Sequence, residues 1–329
     1  MEMTWEEWKA MKRALRRNLG STGWTLLIYY ILLNVVVFLW VMSETLTRIV
    51  KELFTGNFAA IEQAIVSASE SGWGYFAATA VGFLILLLWK KPRFLKYEIF
   101  AKGKPMKVGA FFGILCVFLG GQFLSQLALT LLELVLNCFD LTIVEGVEAL
   151  AVDPDNFSMF LYASLLAPVA EEILFRGLIQ RRLLPYGRNF AIFVSALTFG
   201  LFHGNLIQTP FAFLVGLVLG YVAAEYSVLW AMVLHMINNL VIGDSLNRIT
   251  SCLPVEAASL IIWGILFLSA VVGIVVLIRN RQYIREWLSC EPIHKTYLSC
   301  FFTSAGNIGF TALMIILMVG TLFVMVTHL

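Results

Sequence analysis

Nine apolar stretches dominate this chain, at 23–43, 72–90, 108–138, 158–184, 189–204, 210–226, 228–243, 255–278 and 300–327. A helix crossing a bilayer needs about 20 apolar residues, and fewer when neighbours bury it. Of the 329 residues, 60% are hydrophobic and 13% charged. Soluble domains hold roughly 45–50% apolar and about 25% charged residues. The bilayer must therefore be the main solvent. The expected fold class is all-α: a polytopic membrane helix bundle of about nine transmembrane helices, with an N-terminal interfacial amphipathic helix.

That amphipathic helix is expected over 1–20. Trp5, Trp8, Leu15 and Leu19 share one stripe, with Lys9, Lys12, Arg13, Arg16 and Arg17 around it. No cleavable signal peptide is expected, because the first apolar run begins near Thr22 after a charged stretch and lacks a small-residue cleavage pattern. The remaining residues, 21–329, read as one membrane domain without internal repeats.

The charges sit in the connections and report topology. Basic clusters occupy the N-terminus, the stretch Lys90 to Lys107, Arg181 to Arg188, and Arg279 to Lys295. Nine spans with the N-terminus in the cytoplasm put all four clusters on that side, and the C-terminus on the opposite side. The acidic segment with Asp140, Glu145, Glu148, Asp153 and Asp155 then falls outside. A net charge of +2 gives no electrostatic case for nucleic acid or for a highly acidic partner. The five cysteines show no zinc spacing and read as apolar fillers.

The polar residues inside the oil carry the functional signal. The fourth stretch holds Glu171, Glu172 and Arg176. An ionised side chain at mid-bilayer costs at least about 2.5 kcal/mol. Glu172 and Arg176 are four residues apart on one helical face and are expected to pair. Glu171 points about 100° away and needs a different partner, which makes it a candidate general base. The fifth stretch ends with Phe199 and His203, flanked by Gly200 and Gly204; the seventh holds His235 and Asn239 on one face. Each alone reads as helix-packing glue. Short connections bring the three helices together, so the groups can converge in one pocket. In the third stretch Gln122 and Glu133 are the other main polar groups, and the Gly216–Gly220 pair in the sixth is expected to mark close helix packing.

In order, these residues spell EExxxR (Glu171 to Arg176), FxxxH (Phe199 to His203) and HxxxN (His235 to Asn239). The set resembles the CAAX prenyl endopeptidase type 2 family, also called the CPBP (ABI) intramembrane proteases. The resemblance covers about 158–243, the expected catalytic core. It implies a conical membrane cavity and a glutamate-dependent endopeptidase. Carried over by position, Glu171 is the general base, His203 helps hold and activate a water, and His235 and Asn239 stabilise the oxyanion. Glu172, Arg176 and Phe199 support the site. The family is often labelled metalloprotease, yet the resemblance favours a metal-free water. Zinc held by Glu171, His203 and His235 is the variant, although no HExxH signature is present.

The residues alone make the chemistry reasonable, because a carboxylate in a dry pocket can take a proton and imidazole and amide N–H groups can meet an oxyanion. No Ser or Cys stands beside a base in these motifs. The expected partners are a peptide or lipidated-protein substrate and membrane lipids; substrate identity and oligomeric state stay open. Two other classes also fit: a proton-coupled transporter, since intramembrane Glu, His and Arg build relays, and a catalytically silent scaffold or immunity protein on the same fold.

Overall fold

A computed structural model of the chain describes residues 4–55, 67–68, 70–90, 101, 103–148, 156–240, 250 and 252–328. Its helices are α1 (Trp5–Thr55), α2 (Trp73–Lys90), α3 (Val108–Asn137), the short α4 (Val144–Glu148), α5 (Phe157–Tyr186), α6 (Arg188–Phe202) and α7 (Gln208–Glu225). There follow α8 (Val228–Ile237), α9 (Val255–Arg279), α10 (Arg281–Ser289), α11 (Lys295–Phe302) and α12 (Ala305–Met325). The all-α membrane bundle expected from sequence is what the chain forms. Among the described residues, α1, α3, α5, α7, α9 and α12 are long and apolar enough to cross a membrane, and three shorter apolar helices run over Trp73–Leu88, Arg188–Phe202 and Val228–Leu240.

Two boundaries differ from the sequence reading. Residues 5–20 are not a separate helix. They open α1, which runs unbroken for 51 residues, about 76 Å at 1.5 Å per residue and more than twice the hydrocarbon thickness. Its expected stripe divides by partner. Trp5 is 64% exposed and stacks on Trp8, whereas Leu15 and Leu19 are fully buried in the core that also holds Cys300 and Phe301. The ninth stretch is also broken, between α11 and α12. There Asn307 donates to the Phe301 carbonyl and to Ser304 Oγ, satisfying groups that a helix end leaves open.

The basic clusters gather at one end of the bundle. Arg182 donates to Ser21 and Asn18 of α1, Asn18 donates to Tyr186, and Arg16 donates to the Thr303 carbonyl. At the same end Arg188 donates to the Trp287 carbonyl, and Glu225 accepts from Lys104, Arg188 and Trp287. Lys91, Arg93, Lys96 and Lys102 lie outside the described residues, as do Asp153 and Asp155. At the far end Glu133 accepts from Thr142 Oγ1 and from the Ile143 N–H. A two-residue antiparallel pairing, Leu141–Thr142 with Thr327–His328, ties the chain's last described turn there.

Helix α5 is the element that positions the site. Its start is anchored: Asn156 caps it by accepting from Met159 N–H and reaches the Glu70 carbonyl, while Ser158 Oγ accepts from Gly72 N–H. Two stretches of α5 are π-helical, Tyr162–Leu166 and Ile173–Gln180. The first directly precedes Pro168, which has no N–H to give to the helical ladder. Such local widenings are frequent at functional sites.

Candidate active site

Glu172 and Arg176 form the ion pair their spacing requires. Arg176 Nη1 donates to Glu172 Oε1 at 2.8 Å, and both side chains are fully buried. Arg176 Nη2 also donates to the Gly216 carbonyl at 3.2 Å. One turn on, Gln180 Nε2 donates to the Gly220 carbonyl at 2.8 Å. The two glycines thus do more than pack. A Cβ at Gly216 would lie 2.9 Å from Ala196 Cα, so glycine is what lets α7 meet α6 this closely. That approach presents their carbonyls to α5.

The same Glu172 oxygen also accepts from His235 Nδ1 at 2.9 Å. A carboxylate oxygen can only accept from Arg176, and it already does so, which fixes the proton of His235 on Nδ1. The other ring nitrogen, Nε2, then faces Glu171 Oε2 at 3.7 Å, too far for a direct hydrogen bond. Glu171 makes no hydrogen bond among the described residues, and its side chain keeps 25% exposure. It is the spare acid that the helical phase isolates.

His203 stands at the C-terminal cap of α6. Its Nδ1 lies 3.0 Å from the Phe199 carbonyl, and a carbonyl only accepts, so Nδ1 carries the proton and Nε2 is left bare. Gly204 follows with φ +64, the left-handed conformation that ends the helix and turns the chain away. Phe199 is the shared wall. Its ring meets His203 edge-on at 5.1 Å and His235 at 5.7 Å, and the Arg176 guanidinium lies 4.5 Å from its centroid. Phe175 and Phe202 extend this aromatic layer.

Asn239 is tied to α5. Its amide donates to the Ala163 carbonyl, in the first π turn of α5, at 3.0 Å. Its Oδ1 accepts from Asn238, and Asn238 Oδ1 accepts from Gln122 of α3 at 3.0 Å. Asn238 and the Ala163 carbonyl were missed by sequence reasoning. The signal for Asn238 was a second amide beside the motif asparagine; for a backbone carbonyl freed by π geometry there was none.

Among the described residues no group of three His, Cys, Asp or Glu side chains stands close enough together to hold a metal ion. His235 Nδ1 is committed to Glu172 and His203 Nδ1 to a carbonyl, which leaves Nε2 as the free nitrogen of each ring.

Chemically, the site pairs one unengaged carboxylate with two imidazoles of fixed tautomer, in a setting walled by aromatic rings. Residues 153–241 match the family model described as Type II CAAX prenyl endopeptidase Rce1-like. No curated protein and no solved structure matches the chain.

Proposed function

The central segment of this membrane bundle is Rce1-like, and from that premise we propose that the chain is an intramembrane endopeptidase in which Glu171 activates a water for peptide hydrolysis. The observation that carries the reading is the unengaged Glu171 carboxylate, held 3.7 Å from an imidazole whose other nitrogen is locked. General-base assistance by such a group is worth typically 100-fold to 10,000-fold in rate.

In this mechanism the water lies between Glu171 and the bare Nε2 of His203. Glu171 takes its proton as oxygen attacks the scissile carbonyl. The oxyanion is met by the Asn239 amide proton that Ala163 leaves unused, and His235, its Nδ1–H held by Glu172, lies beside Glu171. Glu171 then returns its proton to the leaving amine. No metal takes part. The substrate is a peptide or lipidated protein reached from the membrane, and the basic end faces the cytoplasm.

The test is a comparison of membrane proteomes from cells carrying wild type and Glu171→Ala. Uncut precursors accumulating in the variant support the reading and name the substrate. Identical proteomes at equal expression count against it.

A further inference from the structure

A cavity of about 920 Å³ opens between α3, α7, α9 and α10 at the basic end. Neither Glu171, Glu172, Arg176, His203 nor His235 lines it. Its volume falls near the top of the range for small-molecule sites, about 300–1,000 Å³. Its walls are hydrocarbon, with Gly113, Val218, Val276 and Trp287 contributed by the four helices.

The polar groups collect at one side. Tyr221, Tyr226 and Tyr283 line the cavity together with Arg279, the last residue of α9. Arg279 is exposed and makes no ion pair among the described residues. Close by, the Arg188 guanidinium lies 3.8 Å from the Trp287 ring centroid and shares Glu225 with Lys104. Lys104, Arg188 and Arg279 therefore stand against Glu225 and Glu291 around this mouth. The next element, α10, turns Ile284 and Leu288 toward the cavity and carries Arg281 and Arg285. A short helix with an apolar and a basic face, at the end of a span, belongs in the headgroup layer. Tyrosines and unpaired cations at that depth match a lipid headgroup with negative charge.

We propose that this cavity holds one acyl chain of an anionic phospholipid, with its phosphate at Arg279 and the three tyrosines. The site is independent of the hydrolytic reading. Hydrocarbon fills the apolar walls, and the phosphate supplies the counter-charge that Arg279 lacks among the described residues.

The full chain, purified in detergent and stripped of lipid, is titrated with phosphatidylglycerol, phosphatidylcholine or oleate, and retained lipid is read by native mass spectrometry. Wild type is expected to keep one phosphatidylglycerol in preference to the other two. Arg279→Gln, a surface change, lowers that preference about fivefold, the worth of one basic residue beside an anionic headgroup. Gly113→Leu narrows the cavity and lowers retention; its Cβ would meet Val276 at 3.5 Å, an ordinary contact, so the backbone tolerates it. Glu171→Gln retains the lipid, which separates this inference from the peptidase assignment. Equal retention of phosphatidylglycerol and phosphatidylcholine, preferential uptake of oleate, or an unchanged Arg279→Gln profile overturns the proposal.

Discussion

One oxygen of Glu172 receives two hydrogen bonds, from Arg176 at 2.8 Å and from His235 Nδ1 at 2.9 Å, and so joins the packing of α5 to the orientation of an imidazole on α8. Structural and chemical roles meet at this residue. They can be separated by substitution.

Arg176→Met should destabilise the protein by about 3–5 kcal/mol, because it strands Glu172 as an unpaired buried charge. The double variant Glu172→Gln with Arg176→Met should recover much of that loss without recovering cleavage, since His235 then lacks its anionic partner. Thermal unfolding in detergent beside a cleavage assay reads both. An Arg176→Met protein as stable as wild type would remove the pair from the account.

Gly216→Ala should reduce cleavage at least tenfold, since 1.4 kcal/mol of misplacement at the site already costs that much. The added Cβ would lie 2.9 Å from Ala196 Cα and 3.2 Å from the Phe199 ring, so α7 must shift the carbonyl that Arg176 grips. Gly264→Ala is the matched control, because nothing lies within 4 Å of its added carbon. The two variants should differ in kcat, and equal activities would show that the approach of α7 does not matter to the site.

Gln122→Ala and Asn239→Ala address the amide relay. Gln122→Ala removes one neutral hydrogen bond and Asn239→Ala two, each worth about 0.5–1.5 kcal/mol of stability. Asn239→Ala should also lower kcat about 100-fold or more if its second amide proton meets the oxyanion; Gln122→Ala should affect kcat far less. Loss of stability with kcat unchanged in Asn239→Ala would leave it as a helix clamp and remove it from the chemistry.

Much of this was legible in the sequence because hydrocarbon is an unforgiving solvent. Apolar run length marked the helices, and four-residue spacing placed Glu172 on Arg176. The same phase argument left Glu171 without a helical partner, as it is in the structure. What escaped has equally physical causes. The π turns of α5 depend on how the ladder accommodates Pro168 and its neighbours, which periodicity does not encode. The bond from Asn239 to Ala163 follows from those turns. The continuity of α1 was hidden because its basic first turns looked like a separate interfacial element. Leu15 and Leu19 share a core with Cys300 and Phe301 of α11, some 281 to 286 residues later in the chain.

Metal independence is checked by chelation. Cleavage by the purified protein should persist in excess EDTA or phenanthroline, and added zinc should not raise it. Activity lost to chelator and restored by zinc would reinstate Glu171, His203 and His235 as ligands.

The most direct measurement compares wild type, Glu171→Gln and His203→Ala, each reconstituted in lipid bilayers, on one cleavable substrate. The account predicts that Glu171→Gln loses at least about 100-fold in kcat/KM while its helical content and thermal midpoint stay at wild-type values. Cleavage by Glu171→Gln at the wild-type rate would contradict it.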